Sequence, residues 1–203
     1  MRFTILTLLS LLLACFFLGI TPANAQMAGL TLQPPTDSKE VGACRHLPPR
    51  QLRLFKELPA ADPCVDRGTS LVALTDIQVV FLCKDGKSQA NYDLAIGWGG
   101  IDKTKEGDFK TPTGTYALGK PRASDKFGIF IPVGYPTAEQ KAQGLTGQDV
   151  GVHGPKRFFR CAGFMNVTFN WTQGCMAVAD DSFIKEIAAF VKSSGVREIH
   201  IVK

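Results

Sequence analysis

The apolar positions of this chain follow three patterns in succession. From Ile5 to Ile20 they are almost continuous. From residue 26 to about 74 they are scattered among prolines (Pro34, Pro35, Pro48, Pro49, Pro59, Pro63), and only Gln51 to Leu58 suggests a short helix, which Pro49 would open. From Asp76 onward they gather into runs of strand length, cut by glycine and proline. Ile77 to Cys83 predicts a strand and Ser88 to Ile96 its partner. Lys84-Asp85-Gly86-Lys87 joins them, because an Asp-Gly pair populates the positive-φ turn that matches strand twist. Thr115 to Leu118, Gly128 to Val133 and Val150 to His153 predict further strands. Asp180-Asp181-Ser182 offers a helix cap, and Phe183, Ile184, Ile187, Ala188 and Val191 then recur at helical spacing. Gly195 ends that helix, and Arg197 to Val202 reads as a last strand. Many short strands with one late helix predict a mainly β domain, a sandwich or small barrel, over residues 75–203. A short N-terminal extension, residues 26–74, precedes it.

The first 25 residues have the layout of an export signal: Met1-Arg2, the apolar run, then Ala23-Asn24-Ala25. The run is shorter than the ~20 residues of a membrane-spanning helix, so a retained anchor is the alternative and no stable membrane insertion is expected after cleavage. Leu12-Leu13-Ala14-Cys15 resembles a lipoprotein cleavage box, but the apolar run continues through Phe16-Phe17-Leu18. The net charge of +5 is scattered. It suits an anionic surface and is too weak to indicate nucleic acid. Exported cysteines normally pair. With Cys15 in the leader, Cys44, Cys64, Cys83, Cys161 and Cys175 remain, and an odd count leaves at least one unpaired within a monomer. If Cys175 is the free one, proximity in sequence suggests Cys44–Cys64, with Cys83–Cys161 as the remainder. A reduced, buried set is the alternative.

Two short segments carry candidate chemistry: Gly151-Val152-His153-Gly154 and Thr172-Gln173-Gly174-Cys175. A free thiol titrates near ~8.5 and needs a base or an electropositive site to act as a thiolate at neutral pH. A histidine from another strand meets that need. Such a cysteine is expected to alkylate rapidly near neutral pH, with a profile shifted below that of a free thiol. The competing reading is a small buried hydrophobe. A zinc site from His153, Cys161 and Cys175 matches no common ligand spacing, and the chain has no Cys-x-x-Cys, so no metal is assigned. His46 and His200 lack comparable context, and His200 reads as structural. Gly97-Trp98-Gly99-Gly100 reads as a turn. Trp98 and Trp171 either line a groove or fill the core, with core packing as the default.

Together with Gly107-Asp108-Phe109-Lys110-Thr111-Pro112-Thr113-Gly114-Thr115-Tyr116, the segments Val150 to Gly154 and Thr172 to Met176 resemble the L,D-transpeptidase catalytic (YkuD) domain of bacterial cell-wall enzymes. The resemblance covers roughly Asp76 to Lys203. It implies Cys175 as nucleophile and His153 as the base that takes its proton. It also implies the N–H groups of Gly174 and Cys175 as an oxyanion hole, with Thr172, Gly154 and Gln173 orienting residues or substrate. The implied partners are peptidoglycan stem peptides, no cofactor is needed, and the implied location is the periplasm or cell wall. Two positions depart from the pattern. Gln173 stands where the family often has histidine. Ala177 stands where many members carry an arginine that can fix the turn or meet carboxylates. A branch with alanine there includes hydrolases, so an L,D-endopeptidase or carboxypeptidase is the first alternative. A wall-binding protein with a dead site is the second. Arg157 and Arg160 are candidate substitutes for the missing cation, against a reading as solvated loop charges.

Overall fold

A computed structural model describes residues 57–203. The expected export signal, Cys15, Cys44, His46 and most of the helix expected at Gln51–Leu58 lie outside the described residues. The strands are β1 (Ser70–Leu74), β2 (Val79–Lys84), β3 (Lys87–Ala95), β4 (Gly114–Ala117), β5 (Arg122–Ser124), β6 (Gly128–Pro132), β7 (Gly151–His153), β8 (Met176–Val178) and β9 (Glu198–Val202). The helices are α1 (Ala138–Ala142), α2 (Met165–Thr168) and α3 (Asp181–Ser193), with a 3-10 segment at Arg157–Ala162. The mainly β architecture and its late helix are as expected. α1, α2 and the strands β1, β5 and β8 were not anticipated.

The strands make one mixed sheet in the order β4-β9-β1-β2-β3-β8-β7-β6-β5. Asp85 (φ 51°) and Gly86 (φ 76°) both adopt the positive φ that an Asp-Gly hairpin requires, and β2 and β3 pair antiparallel across them. The run Val79 to Cys83 is apolar without alternation because β2 is covered on both faces. Val80 and Leu82 enter the main core with Leu71, Ile131, Val152, Met176, Ile199 and Ile201. Val79, Phe81 and Cys83 face the other way, against Val72 and Cys64. Asp180 caps α3 by accepting from Ser182 N–H. α3 then buries Ile184, Ile187, Ala188 and Val191 on the main core, which is the face the helical spacing predicted.

Two expectations change. The sheet includes Ser70–Leu74, which pairs with β2 and β9 as an interior strand, so the sheet begins before the expected boundary at residue 75. The cysteine pairing also differs. Cys64 bonds Cys83, which excludes both Cys44–Cys64 and Cys83–Cys161. Proximity along the chain misled because the hairpin carries Cys83 back over the segment before β1, where Cys64 lies buried beside it. Cys161 is itself disulfide-bonded. Among the described residues Cys175 is the free cysteine.

Candidate active site

The site forms where two parallel strands meet. β7 pairs with β8 so that Val152 faces Met176 and His153 faces Ala177. Registered residues on parallel strands share a face, and residues two apart on one strand share it too. The face that holds His153 and Ala177 therefore also takes Cys175, at the mouth of β8. Two glycines let the backbones close up here. A Cβ on Gly151 would lie 2.4 Å from the Phe130 ring. Gly174 has φ 124°, and a Cβ there would sit 2.6 Å from the Lys110 carbonyl oxygen.

His153 is 1% exposed. Its Nδ1 lies 2.6 Å from the Gly154 carbonyl oxygen. A carbonyl can only accept, so Nδ1 carries the proton and Nε2 presents a lone pair. Phe127 stacks on the ring at 3.8 Å between centroids, and Trp171 meets it edge-on at 5.8 Å. Burial pushes the imidazole down to about 4; the Gly154 carbonyl opposes this and Lys156 adds to it. At neutral pH His153 is an uncharged base with one nitrogen fixed.

Cys175 is half-buried, and its thiol donates to the Asp149 carbonyl at 3.3 Å. Burial pushes the thiol up to about 11; a backbone bond from Gly151 and the Lys103 charge oppose this, and Asp149 adds to it. The direction is opposite to the lowered titration expected from sequence. The resting pair is thiol and imidazole, both neutral, because neither charged form is solvated there.

Threonines hold the turn around the sulfur. Thr172 Oγ1 accepts from Gly174 N–H at 3.2 Å and donates to the Cys175 carbonyl at 2.6 Å. Thr111 Oγ1 lies 3.5 Å from the same carbonyl and accepts from Gly97 N–H at 2.8 Å. Thr172 thus clamps the turn, and Gly174 N–H, one of the two expected oxyanion donors, is committed to it. Beneath the turn, Lys103 Nζ lies 2.7 Å from Asp108 Oδ1, with side chains 4% and 7% exposed. Burial alone would raise the Asp108 carboxyl. The Lys103 ammonium and the N–H groups of Lys105, Lys110 and Thr104 hold it far below the usual range instead.

Between β7 and β8 the chain forms a flap. Asn166 Nδ2 donates to the Phe159 and Ala179 carbonyls, both at 3.0 Å, and Trp171 Nε1 donates to Asn166 O at 2.7 Å. Arg160 pairs with Asp181 at 3.0 Å at the surface, and Arg157 is exposed beside it. Gln173 is exposed. Gly154 packs where a Cβ would meet Phe127 O at 2.8 Å. His200 lies in β9 with Nδ1 2.9 Å from Thr115 Oγ1, a structural position. Phe127, Asp149 and Lys103 were not anticipated at the site, and each arrives from a loop with no local signature; Trp171, for which core packing was the default and groove lining the alternative, lies against His153. Among the described residues no group of three His, Cys, Asp or Glu side chains can hold a metal, and no helix is long and apolar enough to cross a membrane.

The L,D-transpeptidase catalytic domain (YkuD) model matches residues 67–201, and the chain belongs to that family. Among solved structures it is similar to the helical cell shape determining protein Pgp2 from Campylobacter jejuni, at 22% identity over 65% of this chain and 46% of that one, with a TM-score of 0.49. Bd1075 from Bdellovibrio bacteriovorus is similar at 21% identity over 71% of this chain and 52% of that one, TM-score 0.49. The L,D-transpeptidase from Xylanimonas cellulosilytica follows at 16% identity over 72% and 64%, TM-score 0.40. This chain spans about half the length of the first two. Among curated proteins none matches.

Proposed function

We propose that the protein is an exported, cysteine-dependent acyltransferase acting on peptidoglycan stem peptides. One observation carries the reading: the Gly154 carbonyl fixes the His153 proton on Nδ1, leaving Nε2 as a base on the face shared with the free thiol. As the Cys175 sulfur attacks the carbonyl on the L-centre of the diamino acid, Nε2 takes its proton. Cys175 N–H is the remaining backbone donor for the oxyanion. Collapse breaks the bond to D-alanine, whose nitrogen takes the proton back from His153, and leaves a thioester. A side-chain amine of a second stem then attacks the thioester and regenerates the thiol. Gly154, Thr172 and Gly174 hold this geometry, and exposed Gln173 borders the substrate side. The chemistry uses no cofactor or metal.

The second reading replaces the amine with water, giving an L,D-carboxypeptidase or endopeptidase. Ala177 favours it: the position is fully buried and offers no cation to an acceptor's carboxylates. Purified protein incubated with defined tetrapeptide muropeptides tests both by product mass. Cross-linked dimers indicate transfer, and shortened monomers indicate hydrolysis. Turnover retained by Cys175→Ala would refute either.

A further inference from the structure

Most large apolar side chains of the sheet are buried, but Trp98 is 63% exposed, against the core packing expected of it. Its backbone is not loose. Trp98 N–H donates to Thr172 O at 3.0 Å, Thr172 N–H returns to Ile96 O at 3.3 Å, and Gly97 bridges Thr172 in parallel register. These bonds tie the chain just beyond β3 to the turn that carries Cys175, and Trp98 stands on that tie. Phe109 completes a pair, with ring centroids 5.1 Å apart and planes at 55°.

Phe109 is held in place by a separate set of contacts. It has φ 56°, a conformation that costs a bulky side chain about 1–3 kcal/mol and persists only where the surroundings impose it. Asp108 imposes it here, accepting from Thr104, Lys105 and Lys110 N–H while its other partner, Lys103, is buried. Phe109 O in turn accepts from Gly99 N–H at 3.0 Å. A Cβ on Gly97 or Gly99 would lie 2.2 or 2.4 Å from the crossing backbone, so these glycines are what let the two loops meet. The result is an aromatic pair, Trp98 exposed and Phe109 partly buried, on a braced backbone beside the turn that carries Cys175.

We propose that Trp98 and Phe109 form a saccharide-binding platform that seats a sugar ring of the glycan strand bearing the stem peptide. An aromatic face is electron-rich and attracts polarised C–H bonds. The stem offers methyls, carboxylates and amines, whereas a pyranose offers a flat patch of such bonds. Because the backbone beneath both rings is braced before binding and the rings contact each other, less ordering entropy opposes stacking. The choice of sugar rests on the peptidoglycan reading above.

The chain contains two tryptophans, so indole N–H resonances report the platform directly. Titrating the full chain with a peptide-free β-1,4-linked N-acetylglucosamine tetramer is expected to shift the Trp98 indole and leave Trp171 in place. Trp98→Ala should weaken the oligosaccharide about tenfold, the scale of one aromatic contact, and Trp98→Tyr should recover part of it. In turnover, the ratio of kcat/KM for a disaccharide-bearing stem over a sugar-free stem should fall about tenfold in Trp98→Ala. No Trp98 shift up to roughly 10 mM oligosaccharide, the weak end of useful affinity, overturns the proposal. So does a shift produced only by the sugar-free peptide. Oligosaccharide binding without turnover of any stem would refute the transpeptidase reading and leave the platform standing, whereas turnover without oligosaccharide binding would do the reverse.

Discussion

The resting state of Cys175 gives the sharpest test of the site. Burial carries the thiol up to about 11, well above an ordinary cysteine. That rise lowers the thiolate fraction at pH 7 by about 100-fold or more relative to an ordinary cysteine. Intrinsic nucleophilicity rises with pKa at a Brønsted slope of about 0.4–0.5, which returns close to tenfold. Iodoacetamide should therefore modify Cys175 about tenfold more slowly than a free thiol at pH 7, and the rate should still be climbing above pH 9. Among the described residues the other cysteines, Cys64, Cys83 and Cys161, are oxidised. Mass spectrometry of the modified peptide assigns the adduct.

Turnover should behave differently. A neutral thiol and a neutral imidazole are the competent pair, so kcat/KM should hold a broad plateau. Its acid limb should fall toward the His153 value of about 4, and its basic limb toward the thiol near 11. Fast alkylation that levels off below pH 8, persisting to pH 5–6, would mean a preformed thiolate–imidazolium pair. That outcome would refute the argument that burial governs both groups.

Other consequences are equally specific. Thr172→Val leaves Gly174 N–H and the Cys175 carbonyl without their shared hydroxyl; it should cost about 1–3 kcal/mol by denaturant melts and lower kcat about 10–100-fold, with Thr172→Ser restoring most of both. Gly174→Ala must move the Lys110 carbonyl and hold alanine at φ 124°, so kcat should fall by about 10² while far-ultraviolet circular dichroism stays native. Replacing Cys64 and Cys83 by serine opens a loop with a sequence separation of 19 and should remove roughly 3 kcal/mol, seen in calorimetry as a Tm lowered by about 6–12 °C. His153 titrates near 6.5 when unfolded and about 4 when folded, so unfolding takes up a proton. Its contribution is complete above pH 6.5 and is lost as the pH falls toward 4, by up to about 3 kcal/mol, and His153→Gln should flatten that part of the stability curve.

What could be read from sequence divides along physical lines. The hairpin at Asp85-Gly86, the α3 face and its Asp180 cap rest on contacts between near neighbours, which local pattern records. The likeness of three ordered segments pointed to His153 and Cys175. The Cys64–Cys83 bond, the seating of β1 between β2 and β9, and the roles of Phe127, Asp149 and Lys103 depend on how distant segments cross. The lowered thiol titration failed for a related reason. A histidine in the same motif set suggests an ion pair, but the sign is set by desolvation, and burial belongs to the assembled fold. For Trp98 the default of core packing failed, and groove lining was the alternative, because a tryptophan's exposure depends on the loop beneath it. Here that loop is braced by Asp108.

Alanine at 177 can be understood from the same packing. The residue shares its face with His153 and sits, fully buried, with Ala95, Val167 and Ala179 under α2 and Trp171. Three alanines on β3, β8 and the residue after β8 make the shallow floor on which α2 rests. A long cationic side chain at 177 would have to displace Val167 or leave its charge desolvated, either of which opposes the seating of the flap. Asn166, which bonds the Ala179 carbonyl, would be lost from that seat, and with it the carbonyl that holds the Trp171 indole against the imidazole. The small residue and the closed flap are therefore one arrangement. An arginine at 177 could not be placed here without loosening the groups that bury His153, and it is that burial that leaves the imidazole neutral.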